Sequence, residues 1–174
     1  MRQFNEYFKI ILQHEGGLVN NPNDPGGTTK YGVSLLFLKG LNLDVGDIDH
    51  DGDIDSQDIK ALTIEDSKEL YLKFFWNPLH LDGLKSEELK LHIFDMGVNA
   101  GTRTAVKLLQ RIIGAGDDGS LGDITTTTAN NYPGNIVDEY KKARINYYLA
   151  IISKNAHLLV FKKGWMNRID TTKF

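Results

Sequence analysis

The chain has 174 residues, 41% of them hydrophobic, a formal net charge of −3 at pH 7 and no cysteine. That length and apolar content allow a buried core in one compact unit or two small lobes, and the absence of cysteine excludes a disulfide framework. No apolar run approaches the roughly 20 residues of a spanning helix, and polar residues interrupt Met1-Arg2-Gln3-Phe4-Asn5-Glu6, so neither membrane insertion nor a signal-peptide core is expected and synthesis in a cytoplasm is.

Phe4, Phe8, Ile11 and Leu12 recur at spacings of three and four and form the apolar stripe of a first helix that carries Glu15 near its end. Gly16-Gly17 stops that helix. From Leu18 the chain runs through Asn20-Asn21-Pro22, Asn23-Asp24-Pro25 and Gly26-Gly27, which predicts a short hairpin or Ω-like loop folding back over the helix end. Asp24, separated from Glu15 by eight residues, would then face it across a gap. Glycoside hydrolysis needs a protonated acid for the leaving oxygen and a second polar group acting on the anomeric carbon or on a water. A Glu against an apolar stripe has its charged form disfavoured, whereas an Asp in a solvated turn stays ionised. The plainer alternatives are a solvated helix-end Glu15, a turn-forming Asp24 and a Thr29 that only closes the hairpin.

Val33 to Leu43 reads as a short apolar helix, and an acidic span follows. Asp47-Ile48-Asp49-His50-Asp51-Gly52-Asp53-Ile54-Asp55-Ser56-Gln57-Asp58 places acids at loop positions one, three and five, glycine at six, Ile54 at eight and an acid at twelve. That is the pattern of an EF-hand calcium loop, with Asp47, Asp49, Asp51, Asp53 and Asp58 as the expected ligands of a calcium ion. Asp58 replaces the usual closing Glu with a shorter side chain, a substitution that resembles dockerin-type loops and implies looser binding. The alternative is an acidic surface turn.

Further helices are expected over Ile59 to Phe75, Leu89 to Ala100, Thr102 to Ile113 with Thr102 as N-cap, Ile136 to Lys154 and His157 to Arg168. Ala115 to Gly122 reads as a loop, and Thr125 to Thr128 is too short to count as low complexity. Asp95, Asn99 and Arg103 recur every four residues and so share one expected helix face, either lining a groove or forming a buried polar network. Trp76 and Trp165 read as core or interface aromatics, and His80, His92 and His157 show no metal-ligand spacing. His14, beside Glu15, reads as an exposed helix-end histidine.

Glu15-Gly16-Gly17 followed by Asp24 and Gly26-Gly27-Thr28-Thr29-Lys30-Tyr31-Gly32-Val33-Ser34 resembles the signature of glycoside hydrolase family 108, phage-type N-acetylmuramidases. Tyr71-Leu72-Lys73-Phe74-Phe75-Trp76 is similar to that family's Tyr-x-x-x-Tyr-Trp, with Phe75 in place of the second Tyr. Asp95-Met96-Gly97-Val98-Asn99-Ala100-Gly101 resembles the opening of its peptidoglycan-binding half, and Gly164-Trp165-Met166-Asn167-Arg168 its close. The set Glu15, Asp24, Thr29 also looks like the triad of T-even phage lysozymes, with the gap from Asp24 to Thr29 one residue shorter. The calcium loop is not part of this resemblance; the family has an ordinary loop there.

The resemblance implies a mostly α, lysozyme-like fold with a small β-hairpin element beside a cleft. It divides the chain into a catalytic lobe, residues 1–88 with the calcium loop 47–58, and a helical peptidoglycan-binding lobe, residues 89–174. It also implies a phage or prophage endolysin that cleaves the β-1,4 bond between N-acetylmuramic acid and N-acetylglucosamine. Glu15 is then the general acid, and Asp24 and Thr29 position or activate the attacking water. Such a protein would act as a monomer on periplasmic peptidoglycan after release from the cytoplasm. Two alternatives stand beside this reading: a lytic transglycosylase using Glu15 alone, and a non-catalytic, calcium-stabilised wall-binding or secretion-accessory module. Residues 1–90 carry 9 Lys and Arg against 16 Asp and Glu, and residues 91–174 carry 11 against 7. The positive half, with Lys141, Lys142, Arg144, Lys162, Lys163 and Arg168, would attract an anionic polymer, and no nucleic-acid motif accompanies it.

Overall fold

The computed structural model describes residues 2–15 and 28–174, with Arg2, His14 and Glu15 described through their backbone alone. The chain forms two compact units, Met1–Tyr71 and Leu72–Phe174.

The first unit opens with helix α1, Arg2–Glu15. Its buried stripe is Phe4, Tyr7, Phe8 and Ile11, and the Phe8 ring meets Tyr71 edge-on at 5.4 Å. After α1 the described chain resumes with strands β1, Thr29–Lys30, and β2, Val33–Ser34. They pair antiparallel with Thr29 opposite Ser34. Tyr31 and Gly32 both have positive φ, 51° and 77°, the handedness a two-residue hairpin turn needs to match strand twist. Ser34 then caps α2, Leu35–Lys39, accepting from the Phe37 amide at 3.1 Å. The expected helix over 33–43 is therefore replaced by a strand, a short helix and, after Gly40, a separate α3 at Leu43–Gly46.

The expected helix over 59–75 is likewise divided. α4, Ser56–Ala61, ends at Leu62 in extended backbone, and α5, Ile64–Tyr71, starts afresh. The reason is a local box: Thr63 Oγ1 accepts from the Asp66 amide at 3.1 Å, and Asp66 accepts from the Thr63 amide at 2.8 Å. A π-helical turn, Leu72–Trp76, opens the second unit and is followed by 3₁₀ turns at Asn77–Leu79 and Leu81–Gly83.

α6, Glu87–Ala100, is the central helix of the second unit. Nine consecutive residues, Leu89 to Gly97, are buried, so it is enclosed on every side and carries no amphipathic signature. α7, Thr102–Ile113, and α9, Ile136–Lys154, pack against it. Thr102 is the first helical residue of α7 and not its cap; Gly101, at φ +91°, makes the turn. Because α6 ends at Ala100, Arg103 leaves the face expected for Asp95 and Asn99.

α8, Asp123–Asn130, has no expectation behind it, since four successive threonines favour extended chain. It forms through a tertiary contact, Gln110 Nε2 donating to Thr125 Oγ1 at 3.2 Å and to Ser120 O at 3.0 Å. The expected helix over 157–168 divides into a 3₁₀ helix, Ala156–Phe161, and α10, Lys162–Thr171. The mostly α fold with one small hairpin is the architecture expected from the sequence. The expected lobe boundary at residues 88 and 89 lies within α6.

Candidate functional site

Glu15 is the last residue of α1 and is described through its backbone alone; Asp24 lies outside the described residues. Thr29 sits on β1, half-buried, at the base of the hairpin. The hairpin is held at two further points. Ser67 Oγ on α5 donates to Tyr31 O at 2.9 Å, and Lys30 Nζ donates to Lys60 O, at the end of α4, at 2.6 Å. The strand carrying Thr29 therefore rests on the helix that leaves the acidic loop.

That loop is wound around its own backbone amides. Asp58, buried, accepts from the Ile48 amide at 2.6 Å through Oδ1 and from the Asp55 amide at 2.7 Å through Oδ2. Asp47 accepts from the Gly52 amide at 3.0 Å, and Gly52 takes φ +101°, the left-handed turn required at the sixth loop position. Asp55 caps α4 reciprocally with Asp58. Carboxylate oxygens of Asp47, Asp49 and Asp58 lie within 4.8 Å of one another, as do those of Asp53, Asp55 and Asp58. Asp51 joins neither group, and Asp55, not among the expected ligands, joins one. Crowding strips water from the Asp49 carboxyl, and Asp51 and Asp58 add repulsion, so its pKa is raised; Asp53 is raised chiefly by Asp51. The donor set is all oxygen, and ligand spans below 5 Å suit a cation with ligands at about 2.3–2.6 Å, so this cluster can hold a divalent metal.

The second unit contains a buried polar centre. Arg144 and Asp95 are fully buried and form an ion pair, and Arg168 Nε donates to the other Asp95 oxygen at 2.8 Å. Arg144 also lies 2.8 Å from His92 Nδ1. A guanidinium only donates, so Nδ1 accepts and the ring proton sits on Nε2, which makes no hydrogen bond. Tyr140, Arg144 and Tyr148 form the buried stripe of α9, with Tyr148 OH donating to Asn99 Oδ1 at 2.7 Å. Arg144 and Arg168, expected on a positive surface, are instead consumed here, and Asp95 belongs to this network while Asn99 remains exposed. Trp165 stacks on Tyr148 at 4.7 Å, and Trp76 meets Phe94 edge-on at 5.2 Å, so each half-buried tryptophan packs against a buried aromatic.

Burial, and then Arg144, push His92 down to about 3 from an ordinary 6.5. Its folded pKa lies below its unfolded one, so the unfolded chain takes up a proton that the native state refuses. The stability from neutral His92 is whole above about pH 6.5 and is lost as pH falls toward about 3, a total on the order of several kcal/mol. His50, His80 and His157 are exposed. A urea midpoint followed from pH 7 to 4.5 should therefore fall steadily in the parent and much less in His92→Gln; parallel slopes would refute the assignment.

Residues 8–101 match the family described as Glycosyl hydrolase 108, and residues 104–170 the one described as Predicted Peptidoglycan domain. The two matches meet at the α6–α7 junction. The chain is similar to the structure of Brucella abortus SagA, with 26% sequence identity, a TM-score of 0.80, and coverage of 97% of this chain and 90% of that one. No curated protein is significantly similar to it.

Proposed function

The chain belongs to the Glycosyl hydrolase 108 family, and from that premise we propose that it is an endolysin-type N-acetylmuramidase that cuts the β-1,4 bond between N-acetylmuramic acid and N-acetylglucosamine. It is a glycoside hydrolase that acts on peptidoglycan, because the hydrolase match continues directly into a peptidoglycan domain. That succession is the observation that carries the reading. The chemistry is assigned to residues 1–88 and the holding of the glycan to 89–174. Glu15, closing α1, donates a proton to the leaving oxygen; Asp24 and the hairpin residue Thr29 position the attacking water on the opposite side. The enzyme reaches the wall after release from the cytoplasm and works as a monomer.

Digestion of purified peptidoglycan followed by mass spectrometry tests the bond and the reaction together. New reducing ends on N-acetylmuramic acid are expected. Anhydro ends would identify a lytic transglycosylase, reducing N-acetylglucosamine ends would move the cut, and an unchanged suspension would leave a binding module. Product anomers report inversion or retention, which correspond to carboxyl separations of about 6.5–9.5 Å or about 5–5.5 Å.

The acidic loop is assigned to calcium, with Asp47, Asp49, Asp51, Asp53 and Asp58 as its ligands around Gly52, and with Asp55, which the structure brings within reach of Asp53 and Asp58, as a further oxygen donor. A bound cation neutralises carboxylates that now repel one another, and it stiffens α4, on which the Thr29 strand rests through Lys30 and Lys60 O. With a shortened closing ligand the affinity should fall in the micromolar to millimolar range, empty in a cytoplasm and filled outside it. Millimolar calcium should raise the melting temperature of the parent, by the equivalent of about 2.7 kcal/mol at a hundredfold excess over Kd, and leave Asp49→Ala unchanged. A calcium-independent parent melt removes the site. A shifted melt with unchanged lytic rate keeps it structural and removes only the regulation.

A further inference from the structure

In the second unit the turn between α9 and α10 holds two aliphatic side chains in water. Leu159 is 57% and Val160 77% exposed. The other strongly exposed large apolar residues among those described stand singly along the chain, as is ordinary for a protein surface. This pair is also firmly mounted. The Asn155 side chain accepts from the His157 amide at 3.2 Å, and the Leu158 amide donates to Asn155 O at 3.1 Å. On the other side Phe161 packs on Trp165 at 5.8 Å, and Trp165 stacks nearly parallel on buried Tyr148. The aromatic side of the turn is the anchor, and the aliphatic side is what it presents.

The charge along the tip segment has one sign. Lys154, Lys162 and Lys163 are exposed, and no Asp or Glu occurs between Lys154 and Ile169. Lys162 and Lys163 follow the pair as the first two residues of α10, after the 3₁₀ helix ends at Phe161. A glycan is gripped by flat aromatic faces and hydrogen bonds, and Leu and Val supply neither. A bilayer with anionic headgroups supplies the complement of both features: phosphates for the lysines and, a few ångströms deeper, hydrocarbon for the aliphatic pair.

We propose that the 154–163 tip docks the enzyme reversibly on the surface of an anionic phospholipid bilayer, with Leu159 and Val160 entering the headgroup boundary and Lys154, Lys162 and Lys163 resting on phosphates. No helix among the described residues is long and apolar enough to cross a membrane, so the attachment is peripheral. Two aliphatic side chains bury less than one acyl chain, so the partition coefficient should not exceed roughly 10⁴ M⁻¹. Docking holds a wall hydrolase against the membrane-proximal face of its substrate.

Flotation of the full chain with vesicles of phosphatidylethanolamine and phosphatidylglycerol, and with vesicles of phosphatidylcholine alone, tests this. The parent should float with the first and not the second. Lys162→Gln with Lys163→Gln should weaken flotation at low salt roughly 25-fold, at about fivefold per cation, with the difference shrinking as salt is raised. Leu159→Ser with Val160→Ser should weaken it roughly tenfold or more at any salt. Both pairs should keep the parent melting curve, which reports their folding. Equal flotation on both vesicle types, or a parent-like Leu159→Ser/Val160→Ser pair, overturns the proposal. Loss of sedimentation with peptidoglycan in that pair transfers the surface to the wall and overturns it, as does a parent dimer that the pair dissociates. A parent that floats but cuts no peptidoglycan overturns only the enzymatic reading.

Discussion

Glu15→Gln is expected to lower the initial rate of peptidoglycan clearing by two orders of magnitude or more while leaving the melting curve in place. Gln is nearly isosteric with Glu but has no acidic proton to transfer. A positioned general acid contributes about 10²–10⁴ to rate, and a hundredfold loss corresponds to about 2.7 kcal/mol of transition-state stabilisation. Clearing by Glu15→Gln above about a tenth of the parent rate would take the role away from Glu15. Thr29→Ala should keep the hairpin, whose pairing with Ser34 runs through the backbone, so a fall in rate without a fall in melting temperature would separate chemistry from architecture.

The largest effect on stability is expected from Arg144→Met. It removes the guanidinium that pairs with Asp95 and donates toward His92, leaving a fully buried carboxylate with one partner fewer. Breaking a buried pair from one side costs about 3–5 kcal/mol, a large share of the roughly 5–15 kcal/mol that holds a typical domain together. The exposed pair Lys142–Glu139, at 2.9 Å, is the control: Lys142→Met should cost less than about 1 kcal/mol. Replacing Asp95, Arg144 and Arg168 together by apolar residues of similar volume should recover much of the loss, because no uncompensated charge then remains. An unfolding free energy of Arg144→Met, from urea titration, within about 1 kcal/mol of the parent would show that the network is dispensable.

Some of this protein was legible in its residues alone. The spacing of Phe4, Phe8 and Ile11 sets the buried stripe of α1, and α6 begins at Glu87, two residues before the Leu89 that its sequence predicts, and ends at Ala100 as predicted. α9 runs from Ile136 to Lys154, the bounds its sequence predicts. These are signals between near neighbours, which a one-dimensional reading captures. The motifs at Glu15 to Ser34, Asp95 to Gly101 and Gly164 to Arg168 carried the family, because each is a short block of fixed order that falls inside a matched region.

Tertiary structure decided the rest. Arg144 and Arg168 look like surface cations in sequence, and only the approach of Asp95 from another helix makes their burial affordable. The buried stripe of α9 is Tyr140, Arg144 and Tyr148, which no hydrophobic periodicity marks. α8 exists because Gln110 and buried space accept Thr125 and Ala129, against the local preference of a threonine run. The break between α4 and α5 hangs on the reciprocal hydrogen bonds of Thr63 and Asp66, which compete with a helix that periodicity alone would continue. Near-neighbour chemistry is written along the chain; which distant polar group reaches which is fixed only when the helices pack.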